Sequence, residues 1–191
     1  GQLTGDPVRI ESVPWTRGYG LAQQQANTGL FSVGRIAERE PLFQWVGPFV
    51  SSQNRFYTLK GSPLKINSLA DARQHKLVMP RLWYSVQYLQ SQGFDDIYTV
   101  TSPEIMMNMF RNGRSDLLAA SDVTLPNVLA LADLTPADVV PQFSFMEHSS
   151  YLVFSPATNP QVALRWQKAL EQLRRDGTVA RLQSRWLGHI K

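Results

Sequence analysis

The sequence predicts an α/β protein with a largely parallel sheet. Strand-like and helix-like segments alternate between about residues 55 and 135, which is the order expected when helices connect parallel strands. The chain has 191 residues, enough for one ordinary domain or for two small lobes of about 100 residues each. Apolar residues make up 43% of the chain and charged residues 18%, a composition typical of globular proteins.

The N-terminal part of the chain is predicted to contain one helix among extended segments. Residues 8–13 alternate apolar and polar side chains, which predicts a strand that Pro14 ends. A helix over 15–25 follows, although Gly18 and Gly20 weaken it. Further extended segments are predicted at 30–33, 43–46, 49–50 and 55–59, with a charged turn at 38–41 and polar residues at 51–54.

The remainder of the chain shows a regular succession of strands and helices. Residues 68–71 resemble a capping box, with Asp71 in place of the usual Glu, and predict the start of a short helix. Strands are predicted at 76–80, 97–100, 116–120, 139–140, 143–145 and 151–154. Helices are predicted at 83–92, 103–112 and 125–131. Two more follow Pro160: the first has apolar residues at helical spacing from Val162 to Leu173 and ends with Arg174-Arg175 before Gly177, and the second spans 179–187.

Charge and composition exclude several functions. The chain has 19 Lys and Arg against 15 Asp and Glu, a net charge of +4, and these residues are scattered, so no basic block indicates a nucleic-acid partner. The absence of Cys excludes disulfides, thiolate metal sites and Cys nucleophiles. No apolar run approaches the roughly 18 residues needed to cross a bilayer.

The sequence carries no familiar catalytic motif. It contains no G-x-S-x-G, P-loop, G-x-G-x-x-G or H-E-x-x-H segment. His75, His148 and His189 are isolated, and we interpret them as solvated rather than catalytic or metal-binding. Glu38 and Glu40 flank Arg39, a pattern typical of a surface ion-pair turn. We therefore predict no enzyme activity, no metal site and no cofactor.

Five segments carry a resemblance to a known family. They are Pro14-Trp15-Thr16-Arg17 with 30–40 and 43–48, then Ser68-Leu69-Ala70-Asp71-Ala72, and finally 109–117, which ends in Gly113-Arg114-Ser115-Asp116-Leu117. This pattern resembles the family-3 extracellular solute-binding proteins, which bind polar amino acids for ABC importers and have the two-lobed type II periplasmic-binding fold. The resemblance covers nearly the whole chain.

The resemblance implies an organisation and a function. Lobe one would comprise 1–53 and 147–191, lobe two would comprise 54–146, and the crossovers near 51–55 and 145–151 would form a hinge. The protein would be periplasmic, exported by a signal peptide that this chain does not include, and would deliver a small polar ligand to a membrane permease. In the family a Leu-Thr-Gly segment leads into a long helix, but here Gly5 is followed at once by Asp6-Pro7-Val8, and the family's first strand would lie before Gly1. We therefore expect that these elements are omitted through disorder or cleavage.

The resemblance places one half of a ligand site in lobe one. Arg39 matches the family arginine that binds the ligand α-carboxylate, and a guanidinium can bind a carboxylate through two parallel N–H groups. The alternative for Arg39 is an ion pair with Glu38 or Glu40. The other candidate ligand residues of lobe one, for which turn geometry or core packing is the alternative, are Trp15, Arg17, Phe31, Ser32 and Gly34.

The other half of the site is expected in lobe two. Arg81, Trp83 and Tyr84 lie where a strand leads into a helix, and a helix N-terminus can bind anions. The family usually has a small turn containing Gly here, so these bulky residues are a departure. The family Asp that binds an amine matches Ser121, with Asp122 one residue away, so recognition of an α-amino group is in doubt.

Two alternatives to import remain open from the sequence. The same fold could serve as the periplasmic sensing domain of a signalling protein, in which case the full-length gene product would continue into a membrane-spanning segment. A lyase or dehydratase built on this fold is a third hypothesis, and it would require a poised acid or base that the sequence does not reveal.

Overall fold

The computed structural model describes residues 1–187 and divides the chain into two units. Unit 1 comprises Gly1–Ser51 and the chain from Ser149 onward, and unit 2 comprises Ser52–His148. The chain therefore leaves unit 1 two residues earlier than the predicted boundary at 53/54 and returns two residues later than the one at 146/147. Within residues 1–187, no helix is both long enough and apolar enough to span a bilayer.

The helices and strands follow each other in a mixed order. The helices are α1 (Trp15–Gln24), α2 (Leu69–Ala72), α3 (Tyr84–Ser91), α4 (Pro103–Arg111), α5 (Leu125–Ala130), α6 (Pro160–Arg175) and α7 (Thr178–Leu187). The strands are β1 (Gly29–Gly34), β2 (Gln44–Leu59), β3 (Leu77–Pro80), β4 (Ile97–Val100), β5 (Leu118–Ser121) and β6 (Val139–Phe154). Short 3₁₀ helices span Ala37–Leu42 and Pro136–Asp138.

Unit 1 is built on the antiparallel pairing of β1 with the end of β6. Gly29 lies opposite Phe154 and Gly34 opposite Ser150. One side chain cluster, which includes Tyr19, Phe43 and Val153, packs α1 against these strands. A second cluster packs α6 against β2 and β6, and its buried members are Val46, Leu152, Phe154, Ala163 and Leu170. The Asn159 side chain caps α6 by accepting from the Gln161 N–H at 3.0 Å.

Unit 2 contains the parallel pairing that the sequence predicted. β3 and β4 run parallel, with Leu77 opposite Ile97, and a parallel bridge joins Leu77 to Leu117. β2 and β5 are antiparallel, with Asn54 opposite Ser121. The prediction of mostly parallel sheets therefore needs correction, since β1–β6 and β2–β5 are antiparallel.

The two crossings occur inside long strands. β2 and β6 are neighbours in one sheet, and each has 16 residues. We predicted separate extended pieces with polar residues 51–54 between them, but this segment is continuous strand. On the unit 1 side, Ser51 Oγ and Ser149 Oγ are hydrogen-bonded at 2.9 Å. On the unit 2 side, Ser52 Oγ lies 3.1 Å from Nδ1 of His148.

The predicted strand at residues 8–13 does not form. The segment is irregular, and Val8 and Ile10 are 47% and 80% exposed. Alternation alone cannot make a strand, because the backbone N–H and C=O groups also need a paired neighbour. The chain before this segment is held to α6 instead, where Asp6 accepts from Arg165 at 2.6 Å and from Nε1 of Trp166 at 2.9 Å.

Candidate functional site

Arg39 is the most deeply buried charged side chain of the described part of unit 1. It lies in the 3₁₀ helix Ala37–Leu42 and is 1% exposed. Its guanidinium carbon lies 5.1 Å from the centre of the Tyr19 ring, within the range of a cation–π contact. Burial raises the pKa of Tyr19, and the Arg39 charge opposes that rise. The sequence thus places a full positive charge beside an aromatic face and away from water.

The ion pair expected around Arg39 involves a different arginine. Arg35 donates to both carboxylate oxygens of Glu40, at 2.5 and 3.0 Å, and this bond lowers the pKa of Glu40. The Arg35 guanidinium also lies 5.2 Å from the Trp45 ring and 5.1 Å from the Tyr151 ring. Glu40 is therefore committed to Arg35, and the charged turn is a partly exposed ion-pair turn next to the buried Arg39.

Ser32 occupies a strained position in β1. Its φ is +61°, and the β1–β6 register shifts between Leu30 and Val33, which marks a bulge. A non-Gly residue in the left-handed region is uncommon, and such strain concentrates at functional sites. Phe31, just before it, is 51% exposed, while Gly34 at the strand end is buried. Phe31 and Ser32 at the bulge are therefore exposed to solvent, whereas Gly34 at the end of the strand is buried.

Trp15 and Arg17 differ in their surroundings. Trp15 is half-buried, packs against the cluster around Tyr19, and lies 5.9 Å from that ring. Its Nε1 is buried and has no hydrogen-bond partner among residues 1–187. Arg17, two positions after Trp15 on α1, is exposed. The structure therefore gives Trp15 a packing role with a spare donor, and it leaves Arg17 at the surface.

In unit 2, the turn between β3 and α3 carries three predicted site residues. Arg81 is exposed, and its backbone N–H donates to the carbonyl of Val100 at 2.9 Å. Leu82 has a φ of +67°. Trp83 packs against both hydrophobic clusters of the unit, so its bulk belongs largely to the core. Tyr84 then begins α3.

Ser121 and Asp122 use their side chains locally. The Ser121 hydroxyl lies 2.9 Å from that of Thr124 and accepts from the Thr124 N–H at 3.2 Å. Asp122 Oδ1 accepts from the backbone N–H groups of Gln53 and Val123, at 3.2 and 2.8 Å. Both residues thus stabilise the end of β5 and its junction with β2. The carboxylate expected for an amine lies one position beyond Ser121 and is tied to the backbone.

A polar cluster missing from the sequence prediction lies beside Tyr84. Asn54 Nδ2 is 2.9 Å from His148 Nδ1, the Tyr84 hydroxyl donates to Asn54 Oδ1 at 3.0 Å, and the same hydroxyl lies 3.1 Å from His148 Nδ1. The rings of Tyr84 and His148 are 4.2 Å apart. Ser52, Asn54 and His148 are all buried. We call Asn54, Tyr84 and His148 the polar triangle.

Burial governs the titration of His148. The imidazole is 8% exposed, and desolvation lowers its pKa from 6.5 to about 4, against a smaller opposing effect of a hydrogen bond with the Ser52 backbone. Our interpretation of His148 as a solvated histidine is therefore wrong. His75 is partly exposed, and His189 lies outside the described residues.

The polar triangle could not be read from sequence spacing. Its members come from β2, α3 and β6, and His148 lies 94 positions from Asn54. The one available signal was the run of small polar residues at 51–54 within an otherwise extended region. Among residues 1–187, no group of three or more His, Cys, Asp or Glu side chains is arranged to hold a metal ion.

Comparisons with known proteins agree on the architecture. Three solved structures illustrate this. A histidine kinase sensor domain is 17% identical, with a TM-score of 0.86 over 98% of this chain and 81% of that chain. The arginine-, lysine-, histidine-binding protein ArtJ from Geobacillus stearothermophilus is 13% identical, with a TM-score of 0.82 over 98% and 81%. The GluR0 ligand-binding core from Nostoc punctiforme, in complex with L-glutamate, is 17% identical, with a TM-score of 0.79 over 97% and 85%.

The fold is that of the type II periplasmic-binding proteins. The family resemblance is thereby confirmed at the level of architecture, together with the mixed α/β, two-lobed class. No protein-family profile matches the sequence, and no curated protein matches it either. The type II fold suits ligand binding, and the chain carries Arg39 in one unit and the polar triangle in the other.

Proposed function

We propose that this protein is an extracytoplasmic binding protein that captures a small polar solute bearing a carboxylate. The supporting observation is the burial of Arg39 in unit 1, since a guanidinium removed from water is suited to a charged, hydrogen-bonding partner. Solved structures of the same fold include proteins described as binding arginine, lysine, histidine, glutamine or glutamate. We therefore propose an amino-acid-like or carboxylate ligand.

We further propose that the captured solute is delivered to the permease of an ABC importer. A histidine kinase sensor domain among the similar structures favours a second candidate, a ligand-sensing domain of a signalling protein. In a strain carrying the full-length gene, import predicts that deletion abolishes uptake of the radiolabelled solute. Sensing predicts unchanged uptake and loss of the transcriptional or phosphorylation response to the solute.

Binding without chemistry is part of the proposal. A hydroxyl–imidazole pair does occur, since Ser52 Oγ lies 3.1 Å from His148 Nδ1. A general base works best when its pKa lies near the operating pH, whereas burial lowers the pKa of His148 to about 4. His148 Nδ1 is also hydrogen-bonded to Asn54 Nδ2, at 2.9 Å. Conversion of any bound solute by the purified protein would contradict this part.

A thermal-shift screen tests the proposed ligand class. The panel contains L-arginine, L-lysine, L-histidine, L-glutamine, L-glutamate and short dicarboxylates, each beside its amide. A ligand at 100 times its Kd stabilises the folded state by about 2.7 kcal/mol. We expect carboxylates to stabilise and their amides not to. The proposal would be contradicted if a carboxylate and its amide stabilised the protein equally. It would also be contradicted if no member of the panel stabilised the protein.

A further inference from the structure

The directions of the hydrogen bonds in the polar triangle follow from the chemistry of Asn54. Its Nδ2 can only donate, so the ring nitrogen Nδ1 of His148 accepts at 2.9 Å. Its Oδ1 can only accept, so the Tyr84 hydroxyl donates at 3.0 Å. An accepting Nδ1 requires a neutral imidazole whose proton is on Nε2. The triangle thus defines one tautomer of His148 and one direction of the Tyr84 hydroxyl.

We propose that His148 is a positioning residue for Tyr84 that acts through Asn54. The neutral imidazole fixes the orientation of the Asn54 amide, and the amide in turn makes the Tyr84 hydroxyl a donor toward it. Because the Tyr84 proton is then used toward Asn54, Tyr84 would act toward the N–H or O–H groups of a ligand as an acceptor. The inference deepens the proposed function, on which it rests only in assuming that Tyr84 contacts the solute.

A proton on Nδ1 reverses this arrangement. In the imidazolium both ring nitrogens donate, so the Nδ1–H and the Asn54 NH₂ group would confront each other as two donors. The amide relieves this conflict by turning over, so that Oδ1 accepts from Nδ1–H and Nδ2 donates to the Tyr84 oxygen. Tyr84 changes from donor to acceptor within the triangle, and what it offers to a ligand changes in the opposite sense.

The surroundings of His148 place this change in acidic conditions, near pH 4. Tyr84 is the titratable side chain that faces the ring, at 3.1 Å, and Ser52 is the other close side chain. The charged residues nearest in sequence to the contacting positions are Arg55 on β2, Glu147 on β6, Asp122 after β5 and Arg81 before α3. Burial and the Ser52 backbone bond set the pKa of His148, at about 4.

Nuclear magnetic resonance of the ligand-free protein tests the inference. Long-range ¹H–¹⁵N spectra report which imidazole nitrogen of His148 carries the proton at pH 7, and the ¹³Cζ resonance of Tyr84 is assigned by its loss in Tyr84→Phe. We expect Nε2–H at pH 7. Between pH 7 and 3.5, we expect the Tyr84 resonance to shift with the same midpoint as His148, and to show no such midpoint in His148→Gln.

Asn54→Asp provides a second variant of nearly identical shape. A carboxylate only accepts, so His148 must then donate from Nδ1, and the nearby negative charge raises the imidazole midpoint by about 1–3 pH units. This shift brings the titration to a pH at which acid unfolding does not interfere. His75→Gln is the matched control and should leave the His148 and Tyr84 resonances unchanged.

Three results would overturn the inference. The first is a proton on Nδ1 of His148 in the wild type at pH 7. The others are a Tyr84 resonance that does not shift at the His148 midpoint, and a His148 midpoint that is unchanged in Asn54→Asp. None of these measurements uses a ligand. Failure of the solute screen would therefore contradict the proposed function but not the action of His148 on Tyr84. Failure of the resonance test would contradict the action of His148 on Tyr84 but not the proposed function.

Discussion

Arg39 is held in an environment that a charged side chain normally avoids. It is 1% exposed and lies over the Tyr19 ring, although removal of a charge from water is costly unless strong partners replace the solvent. Arg35, four positions earlier, is partly exposed and forms the bidentate ion pair with Glu40. Arg35 therefore forms the surface ion pair, and Arg39 is the buried arginine on which the proposal of carboxylate binding rests.

Substitution of Arg39 should weaken binding strongly. Loss of one partner of a buried, charged hydrogen-bonded pair costs about 2–5 kcal/mol, so Arg39→Ala should raise Kd by about 30-fold to several-thousand-fold. Arg39→Lys should recover only part of the affinity, because a point charge cannot form two parallel bonds. Calorimetric titration with the carboxylate found in the screen measures these changes.

The exposed Arg175 at the end of α6 is the matched control for Arg39. Arg175→Ala removes the same charge from the same unit and should leave Kd unchanged. An Arg39→Ala affinity within about twofold of wild type, a difference of under 1 kcal/mol, would remove Arg39 from the site.

His148 should make the stability of the protein depend on pH in a defined window. Its pKa is about 4 in the folded state against 6.5 for an ordinary histidine, so between these values the unfolded chain binds a proton that the folded chain does not. The free energy of unfolding should therefore fall as pH drops from 6.5 to 4, by about 3 kcal/mol in total. Urea unfolding curves at several pH values measure this loss.

His148→Gln cannot bind that proton and should lose about 3 kcal/mol less than wild type over the same window. His75→Gln keeps the buried histidine and should retain the wild-type pH dependence. Parallel stability profiles of wild type and His148→Gln would show that the buried imidazole does not cause the effect.

Single residues were predictable from sequence only where a local motif identified them. Arg39 could be singled out because it lies in a charged turn with a family pattern around it, and the structure buries it. The local bonds of Ser121 and the contacts of His148 could not be foreseen. Those contacts depend on the three-dimensional arrangement of strands β2, β5 and β6. That arrangement cannot be predicted from the spacing of residues along the chain.

At the scale of elements, the sequence succeeded where a segment satisfies its own backbone groups. The helices α1 and α3–α7 lie where periodicity and capping residues predicted them. Residues 8–13 failed because a strand needs a neighbour, and the segment has alternation without pairing. The long strands β2 and β6 were divided in the prediction, because Gly47-Pro48 and the polar run 51–54 are typical of breaks.

The glycine in the first half of β2 is under a direct steric constraint. Gly47 has a φ of +154°, and a Cβ there would lie 2.6 Å from Cδ1 of Tyr151 on β6. Gly47→Ala should destabilise the protein by about 1–3 kcal/mol through overpacking. Denaturant unfolding at neutral pH measures the change.

Gly20 offers the matched control for Gly47. It lies inside α1, and a Cβ there would meet nothing within 4 Å. Gly20→Ala should therefore stabilise the protein by about 0.5–1 kcal/mol, because alanine loses less backbone freedom in a helix. Equal effects of the two substitutions would contradict the steric explanation for Gly47.

At the scale of the whole molecule, the two units differ in the size of their cores. Among the described residues, unit 2 has two buried apolar clusters of 13 and 11 side chains. Unit 1 has two clusters of five each, and it exposes Ile10 and Trp186 at 80% and 66%. Since burial of apolar surface dominates folding stability, unit 1 should be the less stable unit.

Native-state hydrogen exchange tests this difference. Backbone amides of residues 1–50 should open at a lower free energy than those of 60–140, because smaller cores support smaller cooperative units. The amides of β1 and β3 give the cleanest comparison, since both lie in paired strands. Equal protection in the two sets would contradict the prediction.

The insertion of unit 2 into the sequence of unit 1 has a consequence for biosynthesis. Unit 2 is one continuous segment, Ser52–His148, so all of it leaves the ribosome before the second segment of unit 1 does. β1 meanwhile lacks its partner, because Gly29 and Gly34 pair with Phe154 and Ser150 of β6. Chains fold as they are synthesised, at about 5–20 residues per second. Between Gly34 and Phe154 lie about 120 residues, so β1 stays unpaired for roughly 6–24 seconds of synthesis. During that time all of unit 2 is made, and β1 is exposed to chaperones and proteases until its partner strand follows.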